Sequence, residues 1–150
     1  MHEFLAYRVA DAMSPRPMAI APHTPLAAVE QLFEEHDFNA LPVVEGERLV
    51  GVITKLDVLK AFTFTRETAI PPYEDIMRQP AGQVMTRTPH TVTPDVPLTR
   101  VLAAMVETRN KSFPVLDRDR LVGMIARADV LRALRCAAAG EPPSRGPRRG

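Results

Sequence analysis

Two short stretches of this chain place a glycine, apolar residues and an aspartate at a spacing that could do chemistry: Gly51-Val52-Ile53-Thr54-Lys55-Leu56-Asp57 and Gly123-Met124-Ile125-Ala126-Arg127-Ala128-Asp129. Each reads as a strand running directly into a helix. The free N–H groups of the first helical turn, with the positive end of the helix dipole, make such a junction an anion site. In the first stretch the Thr54 hydroxyl is placed to donate to a phosphate. The Asp57 carboxylate, one turn on, is placed to accept from the two hydroxyls of a ribose. Gly51 lets backbone or ligand approach closely. The same residues also have a purely structural reading, because Thr-x-x-Asp is a variant of the capping box and then needs no ligand. Spacing alone leaves both readings open. Two details favour a ligand. In the second stretch the threonine has become Ala126 while Asp129 stays, and a box without its cap explains Asp129 less well, although an acid near a helix start is favourable by itself. Lys55 and Arg127 each set a cation in the first turn, where the dipole disfavours it, and a bound phosphate would reverse that sign.

The elements that must position these residues come in two copies. A shift of about 72 residues lays 12–62 over 84–134 without a gap, the mark of one structural unit built twice. Met13 meets Met85, Pro22 meets Pro94, and Pro25-Leu26 meets Pro97-Leu98; Pro42-Val43 meets Pro114-Val115, and Arg48-Leu49-Val50-Gly51 meets Arg120-Leu121-Val122-Gly123. Two copies point to a closed, pseudo-symmetric pair, since a solenoid needs at least about three. Thr24 as N-cap and Pro25 as first helical residue predict a helix bearing Leu26, Val29, Leu32 and Phe33 on one face. Leu41–Val44 predicts a strand, 45–47 a turn, 48–53 the returning strand, and a second helix begins near Thr54. The second copy predicts a helix from Pro97, strands at 112–116 and 121–125, and a helix from Arg127. Short helical turns at 9–13 and 82–85 feed extended stretches at 18–21 and 90–93. The fold class is α+β, two β-α-β-β-α repeats at 8–62 and 81–135. They are joined by a linker at 63–80 with Pro71-Pro72 and a short helix near 73–77, and followed by a disordered basic tail at 136–150 rich in Pro, Gly and Arg.

Composition narrows the class. The chain has 150 residues, a net charge of +1 and 45% hydrophobic residues, which suits a soluble globular chain. Part of the positive balance lies in Arg145, Arg148 and Arg149, so a broad nucleic-acid footprint is not expected. The single cysteine, Cys136, excludes an intrachain disulfide or a thiolate cluster and fits a reducing compartment. No leader is expected from Met1-His2-Glu3-Phe4-Leu5, and no apolar run reaches the roughly 18 residues of a membrane span. The chain therefore reads as cytoplasmic.

The doubled unit resembles a tandem pair of CBS domains, the cystathionine-β-synthase-type repeat or Bateman module. The resemblance rests on Met13-Ser14-Pro15 and Met85-Thr86 at the start of the repeats, Thr91-Val92-Thr93-Pro94, Leu41-Pro42-Val43, Phe113-Pro114-Val115 and the two junctions, and covers about residues 8–135. It implies a regulatory pair, packed two-fold, with two clefts for an adenosine-containing ligand: AMP, ADP, ATP, S-adenosylmethionine, NAD or a cyclic dinucleotide. Carried over by position, Asp57 and Asp129 hold ribose hydroxyls and Thr54 the phosphate. The backbone of the extended stretches, around Ile20 and Val92, reads the adenine edge. Ala40 and Leu41 beside Pro42, and Ser112 and Phe113 beside Pro114, wall the base, while Lys55, Lys111 and Arg127 supply phosphate charge. Ala126 and Ala19 depart from the pattern, the latter standing where the second repeat has Thr91; the Asp57 site is the better pocket. The resemblance also implies a homodimer. The implied function is a stand-alone regulatory module that passes ligand occupancy to a separate, unidentified partner protein. No cofactor is obligatory.

Three rival readings follow from the same residues. For an enzyme there is no Gly-x-x-x-x-Gly-Lys loop, Gly-x-Gly-x-x-Gly or Gly-x-Ser-x-Gly, and His2, His23, His36 and His90 have no metal-ligand spacing. A scaffold with vestigial clefts is the main alternative, with Met13, Met85, Met105 and Met124 either core filler or a soft partner surface. Nucleic-acid binding rests on the tail alone.

Overall fold

Two prolines decide where the amphipathic helices begin. Pro25 (φ −70°, ψ 151°) and Pro97 (φ −62°, ψ 142°) hold extended backbone at the N-cap. The carbonyl of Pro25 is already the first acceptor of its helix, taking the N–H groups of Ala28 and Val29. The expected cap, Thr24, instead donates its own N–H to Ala21 (3.0 Å) in the preceding turn. The fixed φ of proline suits the cap as well as the first turn, which moves the start by one residue.

The computed structural model describes residues 1–63 and 72–146; Pro71 and the end of the basic tail lie outside them. After a 3-10 turn at His2–Ala6 come α1 (Val9–Ala12), β1 (Ser14–Pro15), α2 (Leu26–Glu35), β2 (Ala40–Glu45), β3 (Arg48–Thr54) and α3 (Lys55–Lys60). Then follow α4 (Tyr73–Met77), α5 (Ala81–Val84), α6 (Leu98–Thr108), β4 (Ser112–Asp117), β5 (Arg120–Ala126) and α7 (Arg127–Ala139). The mixed α+β pair of repeats is the fold. The extended stretches that open each repeat make single parallel bridges, Ile20 to Val43 and Val92 to Val115, rather than full strands.

The chain condenses into two compact units that are not the sequence repeats: residues 19–89 form one, and residues 1–18 with 90–150 form the other. The repeats exchange their lead-in segments. In the 19–89 unit, β2 and β3 make an antiparallel hairpin with Leu41 opposite Ile53 and Val43 opposite Gly51. The lead-in of the second repeat docks there, Val52 and Thr86 trading backbone hydrogen bonds of 2.9 and 2.8 Å. Leu26, Val29, Leu41, Val43, Ile53 and Ile76 are fully buried within it. In the composite unit, β4 and β5 make the matching hairpin, and β1 pairs with β5, Ser14 opposite Met124 and Pro15 opposite Gly123. Its core joins Phe4, Val9 and Ala12 from the chain start to Leu98, Phe113, Ile125 and Ala133. The two glycines explain the docking. A Cβ on Gly51 would meet Met85 Sδ and the Thr86 carbonyl, both at 2.7 Å, and one on Gly123 would meet Met13 Sδ at 2.7 Å and the Ser14 carbonyl at 2.9 Å.

The C-terminal part differs from the disordered tail expected from residue 136. Helix α7 runs to Ala139 with Cys136 and Ala137 buried, and Gly140 closes it in the left-handed conformation (φ 72°). Ala133 and Ala137, one turn apart, continue the apolar face, and the helix propensity of the Cys136–Ala139 run carries it past the repeat.

Candidate functional site

Both strand-to-helix junctions form as the spacing requires. At the first, β3 delivers Thr54 to the N-cap of α3 (φ −114°, ψ 168°). The capping box closes: Asp57 N–H donates to Thr54 Oγ1 (3.1 Å) and Thr54 N–H to Asp57 Oδ2 (2.9 Å). The cap does not exhaust these groups. The Thr54 hydroxyl accepts in this pair, so its own proton remains for another acceptor. Asp57 is 5% exposed, and its remaining partner among the described residues is the Thr86 hydroxyl, 3.3 Å from Oδ1 and 3.4 Å from Oδ2. No cation pairs with it among the described residues.

The second junction repeats the backbone and changes the chemistry. Asp129, 4% exposed, takes the Ala126 N–H on Oδ2 (2.8 Å) although Ala126 has no hydroxyl to return. Half a capping box and a cation hold this carboxylate without a ligand, and the loss of the threonine is weaker support for one than the sequence suggested. Asp129 also pairs with Arg132 (3.0 Å), which stands where the first repeat has Lys60. Ser14, the counterpart of Thr86, is buried beside it.

The other candidates divide. Ala40 and Ser112 are half-buried at the strand starts, whereas Leu41 (1% exposed) and Phe113 (0%) belong to the cores, with Pro42 and Pro114 buried next to them. Alternation along the strand turns Leu41 and Phe113 inward. Ile20 donates its N–H to Pro42 O (3.0 Å) and accepts from Val44 N–H (2.8 Å). Val92 does the same with Pro114 (3.1 Å) and Leu116 (2.8 Å). At these two residues the N–H groups are spent on the sheet, which leaves the second lone pair of each carbonyl for an adenine edge. Thr91 is half-buried beside Val92. Lys55 is exposed, its Nζ 6.0 Å from the Phe33 ring centre, and Lys111 is exposed. The Arg127 guanidinium donates to the Arg109 carbonyl (2.7 Å) at the left-handed end of α6, so its place in the first turn has a reason besides phosphate.

Sequence reasoning did not assign Thr86, Ser14 or Arg132 to the site. The signal for the first two was present, since each follows the methionine that marks a repeat, at matching positions. Among the described residues no group of His, Cys, Asp and Glu side chains could hold a metal ion, and no helix is long and apolar enough to cross a membrane. The 19–89 unit carries an open groove of about 750 Å³ lined in part by His23, Glu45, Arg48, Gln83 and Arg87, at the hairpin end and away from Asp57.

Paired α+β repeats, each with a buried aspartate in the first turn of the helix after its returning strand, define the class. The CBS domain family matches the chain over residues 9–63 and 81–136, and the chain belongs to that family as a tandem pair. It is 27% identical over 125 residues to hypoxic response protein 1 of Mycobacterium tuberculosis, covering 83% of this chain and 82% of that protein. A solved structure of CBSX2 in complex with AMP is similar at TM-score 0.74 and 28% identity, over 88% of this chain and 98% of that one; CBSX2 is a CBS-pair protein of Arabidopsis thaliana. The CBS domain pair of protein MJ0100, solved with 5'-methylthioadenosine and S-adenosyl-L-methionine, is similar at TM-score 0.70 and 25% identity, over 87% of this chain and 98% of that one. Other relatives are far longer: the chain spans 13% of an A-adding tRNA nucleotidyltransferase of Geobacter sulfurreducens, which it matches at 28% identity over 82% of its own length.

Proposed function

We propose that this chain is a regulatory ligand sensor that binds an adenosine-containing molecule at the Asp57 junction and passes occupancy to a partner protein, without catalysis of its own. The observation that carries this reading is the state of Asp57. A carboxylate buried to 5% exposure, held by one backbone N–H and one long hydroxyl contact, has room for stronger donors. Two ribose hydroxyls would supply charge-assisted bonds in place of the Thr86 contact. The Thr54 hydroxyl and the start of α3 suit a phosphate, and exposed Lys55 adds charge. The AMP complex of CBSX2 and the S-adenosylmethionine complex of MJ0100 support the ligand class. AMP, ADP, ATP, S-adenosylmethionine and NAD share the ribose and adenine contacts.

The regulatory step needs a ligand that prefers one packing of the protein, since a ligand shifts an equilibrium only by its differential affinity. A homodimer and a cytoplasmic location belong to the same reading. Leu56 and Leu59 on α3 are exposed, as is Leu131 on α7, and a dimer would cover apolar residues of this kind; sedimentation velocity would read it.

The decisive experiment is thermal unfolding against AMP, ADP, ATP with magnesium, S-adenosylmethionine, NAD and cyclic di-AMP, with GTP as control. A ligand at about a hundred times its Kd stabilises by about 2.7 kcal/mol, a rise of several degrees for a chain of this size. A shift confined to adenosine ligands is the expected result. A flat panel at millimolar concentration would favour the second reading, a scaffold with closed sites, for which the Arg132–Asp129 pair at the other junction already gives one example.

A further inference from the structure

We propose that the C-terminal segment is a built-in competitor for the Asp129 site, held over it by a few polar ties and lifted when a nucleotide binds there. The inference rests on the nucleotide reading above and extends it to regulation of the second site. After Gly140 ends α7, residues 141–146 run back across the composite unit. Tyr7 Oη donates to the Glu141 carbonyl (3.2 Å), Arg132 Nε to that of Ser144 (3.1 Å), and Arg145 Nε to that of Ala10 (2.8 Å). The Gly146 N–H is shared by the carbonyls of Ala12 (3.3 Å) and Met13 (3.2 Å).

Gly146 ends up buried in the notch between Ser14 and Asp129. A Cβ there would collide with Ser14 Oγ and lie 2.7 Å from Asp129 Oδ1, so a larger residue seats at this depth only if both side chains shift. It lies at the very carboxylate to which a ribose would bind. Arg132 joins site and strap, pairing with Asp129 (3.0 Å) while donating to Ala12 O (2.8 Å) and Ser144 O. The 19–89 unit has no such cover among the described residues, and Thr86 there is exposed where its counterpart Ser14 is buried. A groove of about 690 Å³ lined in part by Arg132, Arg135, Cys136, Glu141 and Ser144 runs along α7 beside the strap. The Asp129 site is thus gated by the chain itself.

The test uses AMP and four full-length forms: wild type, Gly146→Val, Asp57→Ala and the double variant, read by isothermal titration calorimetry. Gly146→Val must displace Ser14 and Asp129 to seat, so it should raise the stoichiometry from one AMP per chain to two. The double variant should retain one site that Asp57→Ala alone shows about tenfold more weakly, the scale of lost charge-assisted bonds. If circular dichroism shows Asp57→Ala unfolded, the comparison of wild type with Gly146→Val carries the test. A single unchanged site in both overturns the strap and leaves the nucleotide reading standing. No AMP bound by either form, with no adenosine ligand of the panel shifting their unfolding, overturns both. Fast hydrogen exchange of the Gly146 amide in unliganded wild type would overturn the strap without reference to any ligand.

Discussion

Thr86 donates its hydroxyl to the Asp57 carboxylate, 3.3 Å from one oxygen and 3.4 Å from the other, although the two residues belong to different sequence repeats. The contact exists because Thr86 backbone pairs with Val52 in β3, which sets the side chain over the junction that β3 itself leads into. Charge-assisted O–H···O bonds run at about 2.5–2.7 Å, so this shared bond is a weak one that a better donor can replace.

Asp57→Ala should weaken AMP binding by more than about tenfold with the fold retained, because the lost bonds are made to a charged acceptor. Calorimetry checks the affinity and circular dichroism the fold. An unchanged affinity in a folded variant would assign Asp57 to the capping box alone.

Thr54→Ala removes the cap hydroxyl that Asp57 N–H uses and should cost about 1 kcal/mol in urea unfolding. It should also weaken AMP and ATP more than adenosine, since the hydroxyl proton is assigned to phosphate. Equal losses for all three would take the hydroxyl off the phosphate. The converse change, Ala126→Thr, supplies the missing cap to α7 and should stabilise by a similar amount.

Gly51→Ala and Gly123→Ala should each destabilise by about 1–3 kcal/mol, the range for overpacking. The obstacles include backbone carbonyls, of Thr86 at 2.7 Å and Ser14 at 2.9 Å, which cannot swing away as a side chain can. Gly46 tests the contrast: a Cβ there meets nothing within 4 Å, and the cost of Gly46→Ala comes from φ +63° alone, about 1 kcal/mol. Urea midpoints for the three variants separate the two mechanisms.

Burial pushes the Tyr7 phenol above its ordinary value, with nearby acids adding to the effect. The sign follows from the neutral form being the protonated one. Stability from this group is complete below the unfolded tyrosine pKa of about 10 and is lost as pH rises through the higher folded value. In a Tyr73→Phe background the phenolate absorbance should appear above pH ~10. Because Tyr7 Oη also donates to Glu141, Tyr7→Phe should speed amide exchange in residues 141–146.

The repeat, the hairpins and, to within one residue, the starts of α2 and α6 were legible in the sequence because each is written in local periodicity, turn residues and proline. Met13 over Met85 and Gly51 over Gly123 likewise revealed two copies of one junction. Local signals do not say which copy a segment will pack against. Docking of residues 9–14 on β5 and of 81–86 on β3 is made by contacts across long stretches of chain, Met13 over Gly123 and Met85 over Gly51 among them. The same limit hid the inward turn of Leu41 and Phe113 and the spending of the Ile20 and Val92 N–H groups on the sheet.

The sequence by itself determined the doubled α+β unit and an aspartate in the first turn of each repeat's last helix, since capping and strand alternation act over a few residues. Only the tertiary structure decided that those aspartates have different surroundings. Asp57 lies under an exposed threonine, whereas Asp129 lies under Arg132 and Gly146. The reason is that a Pro-, Gly- and Arg-rich tail carries no pattern of its own, and its place is set by carbonyls of Ala10, Ala12 and Met13 that are brought within reach only when the chain has folded.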